Sequence, residues 1–499
     1  MTEMLLSKPS SRSWTPRSYQ RVAVKFLLEH ACAGLFLKPG LGKTSSTLAA
    51  LKILFKQKVA KKVLIIAPLR VCYDVWPMEV KRWADFNHFT VEVLHGPHKD
   101  EALARKADIY VTNFEGLEWL LDAEKTKYEV KGRKTKRTKV VVDVKRFERL
   151  GFDTLVVDEL SKFKNHDSDR FKTMKPVLGT FARRWGLTGS PTANGLMDLF
   201  GQCFVLDQGR SLGAFITHFR HEFFVPDAHN KYEWHLKEGG EARIHERIAP
   251  LVLEMGDELL DMPDLIENEI KVTLPPKAYA EYLKLERDLI LSVEQGLVTA
   301  ATAASASMKC RQVANGGIYL DAEILENGLK VPASQRKTAH IHNAKTEALQ
   351  ELVEELQHSP LLVAYDFGHD LERLRKAFPK GVFACDYSAK EFSSITSRWN
   401  DGDIPVLFGH PQSIGHGLNL QEGPGHNVCW HSLTWDFDVT DQFNRRVYRS
   451  GNKSKKVFIH YLIGEGTIDE VVLLALRAKD HGQRAFFSAL KALHQKRRS

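Results

Sequence analysis

Three groups of residues in this chain have the types and spacing to do chemistry together. The first is Gly40-Leu41-Gly42-Lys43-Thr44, set between the apolar run GLFL and the helical pattern TLAALKIL. A glycine-rich turn there lets backbone N–H groups approach phosphates closely, and the start of a helix adds positive potential. Lys43 can reach the β- and γ-phosphates of a nucleotide, and the Thr44 hydroxyl can ligate Mg²⁺. The strict phosphate-loop pattern wants glycine at position 37, where this chain has Leu37. The second group is Asp158-Glu159, which ends the run Thr154–Val157. An aspartate at the end of a buried strand can hold Mg²⁺ through water, and the next glutamate can orient the attacking water. The other reading of that pair is a helix cap. The third group is Gln442 with Arg445, Arg446 and Arg449 in DQFNRRVYRSGNK. On a helix, Arg446 and Arg449 share a face and can meet a phosphate chain, neutralising charge that develops on the γ-phosphate. A basic surface helix has the same spacing.

The elements that must position these groups follow an alternating pattern. GLFLKPGLGKT, KKVLIIAPLR, ADIYVTNFEG, FDTLVVDEL and RRWGLTGSP each end an apolar run in a polar or Gly/Pro turn. That repetition predicts a parallel sheet with crossover helices, whose ligands sit at the carboxyl ends of the strands. The last third repeats the pattern in PLLVAYDF, GVFACDY, IPVLFGHP, HNVCWHS and KVFIHYLI. The middle is richer in helical periodicity, as in PKAYAEYLKLERDLILSVEQGL. The expected organisation is an α/β lobe over residues 1–206, a mostly helical region over 207–340, and a second α/β lobe with C-terminal helices over 341–499. Within the first lobe, the stretch about 122–150 is dense in Lys and Arg, with Gly132 midway between two alternating stretches. It predicts a basic hairpin or loop that either contacts nucleic acid or is a solvated surface.

Bulk properties narrow the classes. At 499 residues the chain is too long for one ordinary core. A net charge of +9 favours polyanionic partners. The six cysteines are scattered without a C-x-x-C pair, which argues against a zinc ribbon or disulfide framework. No run is long and apolar enough to span a bilayer, and MTEMLLSKPSSRSW lacks the apolar core of a secretory signal. A cytoplasmic protein is expected, in the host cell if it is viral. Trp14, Trp76, Trp83, Trp185 and Trp399 are expected to pack cores rather than stack on bases.

Taken in order, the segments resemble the Swi/Snf-type ATPases of helicase superfamily 2, from about Pro16 to Glu470. Arg17-Ser18-Tyr19-Gln20 with VAVKFLL resembles the opening motif, and KPGLGKT the phosphate loop. LIIAPLRVCYDVWPMEVKRW, VTNFEGL, DELSKFKN and LTGSPTANGLMDLF, with its Asn194, are similar to the next four motifs. MKCRQVANGGIYL, GLNLQEG, and DQFNRRVYRSGNK followed by VFIHYLIGEGTIDE complete the order. The resemblance implies two RecA-like lobes with ATP and Mg²⁺ in the cleft between them, and stepping along one strand of a duplex. It implies that Gln20 reads the adenine, with Tyr19 and Gln442 in the nucleotide-binding set. Thr44 and Asp158 would hold the metal, Glu159 would position water, and Arg446 and Arg449 would act from the second lobe. Arg70, Thr112 and Asn419 are the implied backbone contacts to nucleic acid. The sequence departs from the family at Leu37-Lys38-Pro39, at Ser161 where a histidine is usual, and at His416 in GHGLNLQEG. The compact build, with no chromatin-reading module, points to a bacterial or phage protein. Duplex DNA is the expected partner. The alternatives are a strand-separating helicase of RNA or branched DNA, and a nucleic-acid clamp that binds ATP without turnover.

Overall fold

The structure is a computed structural model, and it describes residues 12–129, 136–192, 195–227, 234–294, 300–320, 337–357, 359–388, 391–414 and 418–478. Gly132, Asn194, His416 and the basic end of the chain lie outside the described residues. The chain forms two compact units, Met1–Leu260 and Asp261–Ser499.

In the first unit the five apolar runs are strands: Cys32–Leu37 (β1), Val63–Ala67 (β2), Ile109–Asn113 (β4), Thr154–Asp158 (β7) and Arg183–Thr188 (β8). With Val91–Val93 (β3) and Val252–Met255 (β11) they form one sheet in the order β11-β1-β8-β7-β2-β4-β3. Every pairing in it is parallel. The runs are apolar throughout because helices cover both faces, as parallel sheets require. Alternate residues of β2 show this: Leu64 and Ile66 join one core, while Val63, Ile65 and Ala67 join the other. Two antiparallel ribbons stand apart from the sheet. One pairs Glu124–Glu129 (β5) with Lys136–Val141 (β6), so the basic stretch is a hairpin at the backbone level. The other pairs Phe224–Pro226 (β9) with Trp234–Leu236 (β10).

The second unit carries the second α/β sheet. Asp264–Val272 (β12), Leu361–Ala364 (β15), Val382–Phe383 (β16), Val406–Gly409 (β17), Asn427–Trp430 (β18) and Lys456–Gly464 (β19) lie in the order β12-β19-β18-β15-β17-β16. All of these pairs are parallel too. A short antiparallel pair, Gly317–Tyr319 (β13) and Thr338–His340 (β14), lies beside it. The fold class is thus α/β, with two parallel-sheet lobes.

The stretch 207–340 is shared between the units. Residues up to Leu260 stay with the first. There β11 closes the sheet edge, with Val252 opposite Gly34; a Cβ on Gly34 would come within 2.9 Å of Val252 Cγ1. From Asp261 onward the chain belongs to the second unit, where β12 pairs along nine positions with β19. The helices Pro276–Glu294 and Ala300–Ala314 follow it.

Charges buried in the second unit are matched. Lys345 is fully enclosed, and its ammonium meets Asp469 at 2.6 Å and donates to Asn315 Oδ1 at 2.7 Å. Asp370, also enclosed, accepts from Arg373 at 2.7 Å and from the Ser432 hydroxyl at 2.6 Å. Removing one partner of such a pair leaves a buried charge uncompensated, at a cost of about 3–5 kcal/mol. The network ties the helices on this sheet to one arrangement.

Candidate nucleotide site

The first two groups of reactive residues meet at the carboxyl edge of the first sheet. β1 ends at Leu37, and the chain turns through Gly40 (φ 101°) and Gly42 (φ 73°) before the helix Lys43–Lys56 starts. Both turns need positive φ, which glycine adopts at little steric cost. The turn exists because β1 must hand over to a helix that packs back on the sheet. Its first N–H groups have no helical partner, and that leaves them for a ligand. The Lys43 ammonium lies back across the loop and donates to the Leu37 carbonyl at 2.7 Å.

The opening helix, Ser18–Glu29, presses Gln20 against this turn. Gln20 and Tyr19 are buried, and the Gln20 side-chain oxygen accepts from the Arg17 backbone at 2.9 Å. A Cβ on Gly42 would lie only 2.2 Å from Gln20 Nε2. The loop after β8 closes the other side, where a Cβ on Gly189 would lie 3.0 Å from Pro39 Cδ. The expected nucleotide-binding residues of this unit are therefore adjacent.

Asp158 ends β7, two strands from β1 with β8 between. Burial and the neighbouring Glu159 push its carboxyl up to about 6, against the opposing charge of Lys43. Glu159 takes the left-handed conformation, φ 67°, which a non-glycine residue adopts at a cost of about 1–3 kcal/mol. That places the glutamate at a sharp bend between the strand and the short helix Leu160–Phe163. Ser161, which stands where the family has histidine, donates its hydroxyl to Glu159 Oε1 at 3.1 Å. The chemistry of this set suits Mg²⁺. One acidic oxygen ligand and a threonine hydroxyl, completed by phosphate and water, is how that ion is usually held, since it keeps most of its waters.

Sequence reasoning missed one contact. The Trp76 indole N–H donates to Asp158 Oδ2 at 3.0 Å. Trp76 belongs to Trp76–Arg82, which follows Leu69–Asp74 after β2. The expected core packing describes the ring, which is fully buried. Position in LIIAPLRVCYDVW places the tryptophan shortly after β2, but not its partner 82 residues away.

The third group lies in the second unit. The helix Phe437–Asn444 stops before the two arginines, with Arg445 as its cap, so Arg446 and Arg449 do not share a helix face. They occupy the turns that follow and still converge on the loop holding Asn419. Arg446 is buried; its guanidinium donates to the carbonyls of Gln442 at 3.0 Å and Leu418 at 3.1 Å. Arg449 donates to Asn419 Oδ1 at 2.7 Å. Arg445 pairs with Asp441 at 2.7 Å. Gln442 is half-buried on the helix.

The three expected nucleic-acid contacts have different settings. Arg70 lies half-buried on Leu69–Asp74. Its charge opposes the burial that pushes Asp74 up to about 6. Asn419 is engaged by Arg449. Thr112 is fully enclosed at the end of β4, and its hydroxyl donates to the Leu94 carbonyl at 3.3 Å. It ties neighbouring strands and presents no surface.

The SNF2-related domain matches residues 19–316. Protein p41 of Acyrthosiphon pisum secondary endosymbiont phage 1 is 32% identical over 498 residues, covering 96% of this chain and 99% of that one. The CHD3-type chromatin-remodeling factor PICKLE of Arabidopsis thaliana is 24% identical over 475 residues. That match covers 88% of this chain but only 32% of the plant protein. Among solved structures, the Sulfolobus solfataricus SWI2/SNF2 ATPase core in complex with dsDNA is 22% identical, covering 97% of this chain and 94% of that one with a TM-score of 0.41. The chain belongs to the SNF2-related family, the Swi/Snf-type ATPases of helicase superfamily 2.

Proposed function

We propose that this SNF2-family motor hydrolyses ATP and uses the energy to move along duplex DNA. The observation that carries the reading is the set at the carboxyl edge of the first sheet. There a turn with two positive-φ glycines lies beside Lys43, and the Lys43 charge acts on the half-buried Asp158 next to Glu159.

Backbone N–H groups from Gly40 to Thr44 would cradle the phosphates, and Gln20, with Tyr19 beside it, would read the base. Lys43 would release the Leu37 carbonyl and take a phosphate oxygen instead. Thr44 and Asp158 would hold Mg²⁺, which when bound neutralises charge on the phosphates. Glu159 would orient water, with its carboxylate steadied by Ser161. Gln442, Arg446 and Arg449 would be the second unit's contribution to turnover, since guanidinium groups stabilise charge that develops on a γ-phosphate.

Duplex DNA as the track is supported by the chain's net charge of +9 and by the name of the plant relative as a chromatin-remodeling factor. Arg70 and Asn419 are the proposed backbone contacts. Phosphate contacts carry affinity without sequence information and release counterions, so binding should fall steeply with salt.

The test is ATP hydrolysis without nucleic acid and with single-stranded DNA, duplex DNA, forked DNA and RNA, each at two salt concentrations. Strongest stimulation by duplex DNA, weakening with salt, is expected. Stimulation mainly by forks or RNA would overturn the duplex reading in favour of strand separation. No hydrolysis under any condition would leave a nucleotide-binding clamp.

A further inference from the structure

We propose that Trp76 is a positioning residue for the Mg²⁺-binding carboxylate, its indole N–H holding Asp158 in the orientation the metal needs. The inference rests on the nucleotide-site reading above and adds a residue which that reading does not use.

The observation is a single bond from the fully buried indole of Trp76 to the half-buried carboxylate of Asp158. β2 and β7 run parallel, with Ile66 opposite Val157, so their carboxyl ends adjoin. After β2 the chain folds into Leu69–Asp74 and then Trp76–Arg82, which brings Trp76 over the end of β7. The ring is wedged into the core below, together with Val71, Cys72 and Val80. A fully buried indole has no rotamer freedom to spare, so its N–H points in one direction. That direction is Asp158 Oδ2, at 3.0 Å.

The choice of donor has a chemical consequence. An indole offers one N–H and no acceptor, so the contact can only support the carboxylate as an acceptor. It is also neutral. A lysine or arginine in its place would orient the carboxylate while cancelling the charge that attracts a cation. Trp76 fixes the rotation of the carboxylate and leaves its charge for the metal. Partners of this outer kind orient ligands throughout metal sites, and losing one typically costs about 10–100-fold in metal affinity. The competing explanation is that a buried indole must find some acceptor, and Asp158 is the nearest. On that account the bond matters to folding alone.

The two accounts separate in the full-length protein. Trp76→Phe removes the N–H and keeps an aromatic ring, and Trp76→His keeps a ring N–H. A fluorescent ATP analogue is titrated in EDTA, then across Mg²⁺ concentration, with thermal unfolding of the unliganded protein measured alongside. Trp76→Phe should bind the analogue in EDTA within about twofold of the unchanged protein. It should need about tenfold more Mg²⁺ for half-saturation. Trp76→His should recover part of that loss. An unchanged Mg²⁺ requirement with a lowered melting temperature would overturn the proposal and leave a bond that serves only the core. If Trp76→Phe does not fold, benzothienylalanine at position 76, which puts sulfur in place of the N–H at nearly the same volume, is read by the same criteria. Failure of the unchanged protein to bind the analogue with or without Mg²⁺ would overturn the nucleotide-site reading itself.

Discussion

Gln20 and Gly42 make a pair whose energetic coupling follows from one distance. Gly42 adopts φ 73°, and a Cβ built there lies 2.2 Å from Gln20 Nε2, well inside the carbon–nitrogen contact distance. Gly42→Ala therefore carries two costs. The left-handed backbone costs an L-residue roughly 1–2 kcal/mol. Gln20 must also withdraw by more than about 1 Å to reach ordinary contact, which strains or breaks the bond its side chain accepts from the Arg17 N–H. A neutral hydrogen bond of that kind contributes about 1 kcal/mol. Gly42→Ala alone should then destabilise the first unit by about 2–3 kcal/mol, the sum of those two terms. In a Gln20→Ala background the clash is absent and the bond is already lost, so the same substitution should cost only about 1–2 kcal/mol. The assay is urea unfolding of the four proteins of this cycle, using the transition that a nucleotide analogue shifts to identify the first unit. Additivity of the two single changes within about 0.5 kcal/mol would refute the argument, because residues in contact must couple.

Lys43→Ala should abolish hydrolysis, whereas Arg449→Ala should lower turnover while leaving nucleotide binding near normal; loss of binding in the arginine variant would sink its assignment to turnover. Arg446→Ala should in addition destabilise the second unit by about 1–3 kcal/mol, because the Leu418 and Gln442 carbonyls lose a charged donor, and equilibrium unfolding reads this. Ser161→Ala removes the hydroxyl that supports Glu159, and one bond of about 1 kcal/mol predicts a roughly fivefold fall in kcat, which steady-state kinetics checks. Burial holds His431 down at about 3, and His342 and His460 at about 4, with Lys345 and Arg373 adding to the effect at the first two. The unfolded chain takes up protons below about pH 6.5 that these folded sites refuse. Stability is thus whole above that pH and falls as pH drops from about 6.5 toward 4, with a limiting slope of about 4 kcal/mol per pH unit for the three together. A second-unit unfolding midpoint that stays constant between about pH 7 and pH 5 would contradict this.

The parts of this protein legible in its sequence are those with local causes. A short apolar run followed by a polar turn favours a buried strand from local pattern alone, and the runs read that way are β1, β2, β4, β7, β8 and five strands of the second sheet. Positive-φ glycines before Lys43 follow from a strand turning directly into a helix, and Asp158 falls at a strand end because the apolar run stops there. The alternation on either side of Gly132 likewise sufficed for the β5–β6 hairpin.

Tertiary structure decided what depends on distant neighbours. The division after Leu260 follows from β11 completing the first sheet while β12 pairs with β19, and no local pattern reports which sheet an edge strand joins. Thr112 looked like a surface contact and is a buried tie to Leu94, because β3 lies against β4. Arg446 and Arg449 meet the Asn419 loop from turns rather than from a helix face, since the helix ends at Asn444. Trp76 reads in sequence as one more core tryptophan. Its hydrogen bond to Asp158 arises only because β2 and β7 are neighbours in the sheet, and strand order is set by how the crossover helices pack, which spacing along the chain does not record.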